Sequence, residues 1–114
     1  MSDCLFCKLV AGTLPCDKIY EDDAFLSFRD ISPQAPTHVL VIPKRHVPAV
    51  SDLREEDAEL AGRLLLTATR IAGELGLDNG GYRWVLNCGE DGCQTVPHVH
   101  LHILGGRKLG WPPG

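Results

Sequence analysis

The sequence predicts an α+β fold in which one long helix packs on a mostly antiparallel sheet. Between about Arg54 and Leu75, apolar residues recur at intervals of three and four, as they do on one face of a helix. Short strand-like runs separated by turn residues lie on both sides of that segment. The length of 114 residues suits one domain, so we expect residues 1–114 to form a single unit.

Two helices are predicted. The shorter one is indicated by four apolar residues at helical spacing near the N-terminus, namely Leu5, Phe6, Leu9 and Val10. Gly12 ends that pattern. The long helix has candidate N-caps in Ser51 and Asp52, acidic residues in its first turn, and Gly76 at its exit.

Five segments are predicted to be strands. They combine apolar and β-favouring residues between turn signals, and they are Lys18–Tyr20, Ala24–Arg29, His38–Ile42, Tyr82–Cys88 and His98–Leu104. The first two read as a hairpin. The last two read as adjacent antiparallel strands joined by a glycine-bearing loop.

Composition and charge argue against two classes of protein. A net charge of −4, with only short basic pairs, is atypical of a general nucleic-acid binder. No run approaches the roughly 20 apolar residues of a membrane span, and the first residues do not resemble a secretory signal. We therefore expect a cytoplasmic protein whose five cysteines are reduced.

The stretch PHVHLH, Pro97–His102, places histidines at every second position. On a strand, His98, His100 and His102 would share one face while the apolar residues between and after them face the core. At a rise of about 3.3 Å per residue, the outer two lie about 13 Å apart, too far for one zinc ion with bonds of about 2.1 Å. A solvated polar face, or a structural zinc site using one or two of the three, remains open as an alternative.

Several imidazoles in a row can supply several chemical roles to a phosphate. A nucleophile works best when one neighbour fixes its tautomer and another contacts the group under attack, and His100 is the flanked member. Attack on phosphorus would create a phosphorus–nitrogen bond, which favours phosphoramidates over esters as substrates. The preceding loop could direct backbone N–H groups and the Thr95 hydroxyl at phosphate oxygens.

The motif His98-Val99-His100-Leu101-His102-Ile103-Leu104 resembles the signature of the histidine triad (HIT) family of nucleotide-binding proteins. FRDISPQAPTHVLVIPKRH, at Phe28–His46, and GGRKLGWPPG, at Gly105–Gly114, are similar to its branch of purine nucleoside phosphoramidases. The resemblance implies a HIT-like fold with a five-stranded sheet. It also implies a homodimer in which each C-terminal tail reaches toward the partner's active site, where Trp111 would be covered.

The resemblance further implies the site residues. His100 matches the nucleophile that forms a nucleotidyl intermediate, His102 its phosphate-binding neighbour, and His38 the histidine that completes the site. Thr95 stands where serine is usual and keeps a hydroxyl for the leaving amine. The implied contacts with a purine nucleoside monophosphate are Leu5, Phe6, Leu9, Phe28 and Ile31 for the base, Asp30 for the ribose, Asn87 and Thr95 for the phosphate, and Trp111 from the tail.

Family members with Cys-x-x-Cys near the N-terminus resemble this chain and bind a zinc ion. The implied ligands here are Cys4, Cys7, His46 and His98. Two thiolates and two imidazoles leave tetrahedral zinc no open position, so the ion would be structural.

Other functions stay open from the sequence. A dinucleoside polyphosphate hydrolase of the same family is one, although the WPPG tail argues against it. A non-catalytic nucleotide-binding or scaffolding module would have the same pocket. A zinc module without nucleotide function is the third.

Overall fold

The computed structural model describes residues 3–114 and has the predicted α+β architecture. The strands are β1 (Lys18–Glu21), β2 (Phe25–Arg29), β3 (Thr37–Pro43), β4 (Tyr82–Val85) and β5 (Leu101–Gly105). They form one antiparallel sheet in the order β1-β2-β3-β5-β4. The helices are α1 (Leu5–Ala11) and α2 (Ala58–Glu74).

The sheet separates two apolar clusters because strand residues alternate between its faces. On one face, Phe25, Val39, Val41, Leu101 and Ile103 pack with the buried residues of α2. On the other face, Leu26, Phe28, Leu40 and Ile42 pack with Phe6 of α1. The long helix therefore covers the central strands on one face, whereas the short helix leaves part of the other face free for a cleft.

The α-helical geometry begins at Ala58, directly after a 3₁₀ turn, so the helical segment as a whole starts near the predicted residue Arg54. Glu55–Asp57 form a separate 3₁₀ turn, in which the Asp57 carboxylate accepts the Arg54 N–H at 2.9 Å. The same carboxylate accepts a hydrogen bond from Arg45 at 2.7 Å. The candidate caps Ser51 and Asp52 belong to a second 3₁₀ turn, Val50–Asp52.

The last two strands are shorter than predicted. β4 ends at Val85 and β5 begins at Leu101, because the residues between them bond outside the sheet. The N–H of Val99, for example, donates to Val47 O at 2.7 Å. Of the three alternating histidines only His102 lies on a strand, yet Val99 still packs in the core beneath α2 with Leu101.

The C-terminal residues 106–114 are irregular, as their glycines and prolines predict. The tail lies against β4, where Arg83 donates to Gly110 O at 2.7 Å. Trp111 is 81% exposed, with the Arg83 guanidinium 6.0 Å from its ring centroid. Within residues 3–114, no helix has the length and apolar character that crossing a membrane requires.

Candidate functional site

A cleft of about 750 Å³ opens on the face of the sheet that carries α1. Most of the residues expected to contact a nucleotide line it: Leu5, Phe6, Leu9, Phe28, Asp30, Ile31, Thr95, His100 and His102. Sequence reasoning had not singled out Cys16, Asp17 and Arg29, which lie along the same cleft. The only signal in the sequence that could have indicated these three residues is their closeness in sequence to the predicted short helix and hairpin. The walls are apolar and the histidines lie among them.

Two residues expected to contact the nucleotide lie outside the lining of this cleft. The Asn87 side-chain amide donates to Gly92 O at 2.7 Å and so closes the loop that precedes the histidine motif. Trp111 is on the exposed tail beside β4. Within this one chain, Asn87 shapes the loop and Trp111 is free to contact another molecule.

His100 is only 5% exposed, and its hydrogen bond defines its tautomer. Its Nδ1 lies 2.7 Å from the carbonyl oxygen of His98. Because a carbonyl oxygen only accepts, the proton of the neutral ring is on Nδ1. Nε2 then carries the lone pair. His100, which lines the cleft, therefore has an unprotonated Nε2 that can act as a nucleophile.

A second set of hydrogen bonds runs from Gln34 through His38 to His102, and we call it the proton chain. The Gln34 backbone N–H donates to His38 Nδ1 at 3.0 Å, which places the His38 proton on Nε2. That Nε2–H donates to His102 Nδ1 at 2.9 Å. The remaining proton of His102 is then on its Nε2, so His102 is a donor where His100 is an acceptor.

Burial supports the neutral forms that this chain requires. Burial, together with smaller contributions from the neighbouring His100 and His38, lowers the pKa of His102 to about 4 against an opposing effect of Asp30. Burial also lowers the pKa of His38, again opposed by Asp30, whose carboxylate is 3.5 Å from His38 Nε2. Both rings are therefore neutral at pH 7.

The side chains of Cys4, Cys7, His46 and His98 form a second group, which we call the Cys₂His₂ cluster. Their donor atoms all lie within 4.8 Å of one another. Cys4 Sγ is 3.4 Å from His98 Nδ1, and Cys7 Sγ is 3.2 Å from His46 Nδ1. The donors of a tetrahedral zinc site lie about 3.3–3.8 Å apart when the bonds are about 2.1–2.3 Å long. The cluster could therefore hold a metal ion.

The tautomer of His98 fits a metal ligand. Its Nε2 lies 2.8 Å from Pro43 O, so Nε2 carries the proton and Nδ1 directs a lone pair at the cluster. A backbone carbonyl that fixes the second nitrogen in this way is the usual arrangement behind a metal-bound imidazole. The fold brings the four residues together from α1, the segment after β3 and the bend before β5.

These features define an α+β protein with a histidine-bearing cleft beside a Cys₂His₂ cluster, and comparisons with known proteins agree. The HIT domain family model matches residues 11–109. An uncharacterised HIT-like protein of Synechococcus elongatus is 50% identical over 112 residues, which cover 98% of this chain and 97% of the relative.

Solved structures agree as well. A HIT family hydrolase from Legionella pneumophila is similar with a TM-score of 0.97 and 48% identity, covering 98% of this chain and 100% of that chain. A histidine triad protein from Clostridium difficile has a TM-score of 0.93 and 43% identity over 96% of both chains. The chain belongs to the HIT domain family, as its histidine motif suggested.

Proposed function

We propose that the protein hydrolyses the P–N bond of purine nucleoside 5′-phosphoramidates, such as adenosine 5′-monophosphoramidate, through a nucleotidyl intermediate on His100. The observation that carries the proposal is the pair of opposite tautomers in the cleft. His100 offers an unprotonated Nε2, and the ring of His102, with its centroid 5.0 Å away, offers an Nε2–H. A nucleophile beside a hydrogen-bond donor suits attack on an anionic phosphorus centre.

In the first step, His100 Nε2 forms a bond to phosphorus and the bond from phosphorus to the amine nitrogen breaks. The His102 Nε2–H donates to a phosphate oxygen, and the proton chain holds it in that orientation. The leaving nitrogen takes up a proton, and the exposed hydroxyl of Thr95 at the cleft can relay it from water. The amine then departs.

In the second step, water attacks phosphorus and breaks the bond to His100, which releases the nucleoside monophosphate. The substrate and the intermediate both contain a P–N bond, so exchanging one for the other has a small thermodynamic cost. That similarity favours phosphoramidates over dinucleoside polyphosphates. The base would lie against the apolar walls around Leu9 and Phe28, with the ribose hydroxyls on Asp30.

The Cys₂His₂ cluster is proposed to bind zinc. All four ligand positions are taken by the protein, so the ion would hold structure together and leave the chemistry to the histidines. His100, the proposed nucleophile, is outside this cluster.

A homodimer is part of the same proposal. Trp111 and Leu66 of α2 are large apolar side chains exposed by 81% and 72%, respectively, in the single chain. A partner subunit would cover surfaces of this kind, and it would bring the tail toward the second cleft.

Mass spectrometry of protein quenched during turnover of adenosine 5′-monophosphoramidate tests the proposal. We expect an added adenylate mass on the peptide that contains His100, and no adduct in the His100→Asn variant. An adduct on another residue would overturn the assignment of the nucleophile. Nucleotide binding without turnover of either phosphoramidates or dinucleoside polyphosphates would instead indicate a binding module.

A further inference from the structure

Phe6 lies where the Cys₂His₂ cluster meets the cleft. It is in the first turn of α1, between Cys4 and Cys7 in sequence, and it is only 5% exposed. Its ring centroid lies 5.9 Å from that of His98 and 5.1 Å from that of His100, in edge-on contacts. One side chain therefore touches both a candidate metal ligand and the proposed nucleophile.

The position of α1 depends on few attachments. Seven residues are too few for an isolated helix to be stable, and Phe6 is the one residue of α1 that is buried. Leu9 and Val10 are partly buried against the same apolar cluster, and Leu5 is 46% exposed. The remaining attachment is the group of thiol–imidazole contacts made by Cys4 and Cys7.

The same helix provides part of the cleft. Leu5, Phe6 and Leu9 all line it. A metal ion in the cluster and a nucleotide in the cleft thus both require α1 to be docked on the sheet. When two ligands share one ordering cost, the first to bind removes that cost for the second.

His98 provides a second connection. Its imidazole belongs to the cluster, while its carbonyl oxygen accepts the Nδ1–H of His100 at 2.7 Å. Holding the His98 side chain therefore also holds the group that determines the tautomer of His100. Phe6 packs against both rings and keeps their relative position.

We propose that Phe6 is a positioning residue that couples the two sites, so that metal bound by the Cys₂His₂ cluster raises nucleotide affinity. By thermodynamic linkage, nucleotide raises metal affinity by the same factor. The inference rests on the proposed nucleotide site and adds a form of regulation to it: low metal supply weakens nucleotide binding.

Calorimetry with adenosine monophosphate measures one side of the linkage. We expect binding to be about 5- to 150-fold weaker in chelator-treated protein than in zinc-loaded protein. Competition with a chelator for zinc, with and without saturating adenosine monophosphate, measures the other side and requires only loaded protein. The two factors should agree. Equal affinities in both metal states would overturn the coupling.

Two variants separate coupling from simple packing. Phe6→Leu should weaken zinc binding in the absence of nucleotide only slightly, because none of the four candidate ligands changes, but it should move the coupling factor clearly toward one. Leu14→Ala is the matched control, because Leu14 lines the cleft outside α1. It should weaken nucleotide binding equally in both metal states and leave the coupling factor unchanged. A full coupling factor in Phe6→Leu would refute the role of Phe6.

The failure of this inference is distinguishable from failure of the proposed function. No binding of adenosine monophosphate to zinc-loaded wild-type protein would contradict the nucleotide site itself. Equal affinity for adenosine monophosphate with and without metal would contradict only the coupling. Circular dichroism should show that the metal-free protein retains the sheet and α2. Global unfolding without metal would show that the ion holds the whole fold and would overturn the proposal.

Discussion

Residues 3–114 contain two groups of side chains that could each hold a metal ion by the spacing of their donor atoms, and the groups differ in their hydrogen bonds. The Cys₂His₂ cluster is one, and Asp30, His38 and His102 form the other, with donor atoms also within 4.8 Å of one another. In the first group, Pro43 O accepts a hydrogen bond from the Nε2–H of His98, so Nδ1 directs its lone pair at the other ligands. In the second, the Gln34 N–H occupies the lone pair of His38 Nδ1 and puts a proton on the nitrogen that faces His102.

The comparison shows that the backbone group bonded to one nitrogen of a histidine ring determines whether the other nitrogen donates or accepts. A carbonyl behind the ring makes the inner nitrogen an acceptor, suited to a metal ion or to a nucleophile. A backbone N–H behind the ring makes the inner nitrogen a donor. By this criterion, the group around His38 transmits a hydrogen bond and the group around His98 is suited to a cation.

Replacing His100 should have the largest effect. The His100→Asn variant removes the nitrogen that attacks phosphorus, so we expect phosphoramidase turnover to fall by about 10⁴-fold or more. Zinc content should stay near wild type, because His100 is outside the cluster, and affinity for adenosine monophosphate should change far less than turnover, because the rest of the cleft lining is unchanged. Steady-state assays, calorimetry and metal analysis check this. Turnover within tenfold of wild type would contradict a nucleophilic His100.

Breaking the proton chain should have the next largest effect. In His38→Ala, the His102 ring loses the donor that defines its tautomer, and we expect turnover to fall by about 10²- to 10³-fold. Zinc affinity measured by chelator competition should not change, since His38 is not part of the Cys₂His₂ cluster. If zinc affinity fell with turnover, the two groups would not be separate in function.

Acid should destabilise the fold through His102. The pKa of His102 is about 4 in the folded protein and near 6.5 in the unfolded chain. The unfolded chain therefore binds more protons between these values, and the free energy of unfolding falls as pH decreases through this window. From pH 7 to pH 4 the loss is about 3 kcal/mol.

Urea unfolding of wild type and His102→Gln at both pH values measures this contribution. Release of metal in acid affects both proteins and cancels in the difference. The loss should be about 3 kcal/mol larger in wild type than in the variant. Equal losses would show that His102 titrates at its ordinary pKa.

Metal binding should stabilise the wild type more modestly. Zinc at a free concentration of 100 times its Kd raises the free energy of unfolding by about 2.7 kcal/mol. The Cys7→Ser variant should lose most of this gain, whereas Cys16→Ser, which changes a thiol outside the cluster, should keep it. Thermal melts with and without zinc provide the measurement. Equal gains in both variants would mean that the ion binds elsewhere.

Local patterns in the sequence predicted much of the fold. The stripe of apolar residues on α2 and the short apolar runs of β2 and β3 are short-range signals, and all three elements are present. The boundaries were less predictable. The 3₁₀ turn before α2 contains the bond between Arg45 and Asp57, and the segment before β5 contains the bond between Val99 and Val47. Both bonds join residues from different parts of the chain.

The candidate site shows the same division. The histidine motif indicated phosphate chemistry, and its resemblance to a family named the residues. Asn87 and Trp111 nevertheless lie outside the cleft of the single chain. Their positions depend on a loop bond to Gly92 and on the packing of the tail against Arg83, and neither has a signal in the local sequence.

By itself, the sequence determined which side chains are available: three alternating histidines, a Cys-x-x-Cys pair, and the periodic apolar residues that fold around them. Only the tertiary structure decided which nitrogen of each imidazole carries its proton. The partners that make this choice are the carbonyls of Pro43 and His98 and the N–H of Gln34. A neutral imidazole has two nitrogens and one proton, so its chemistry is determined by the backbone group that the fold places behind it.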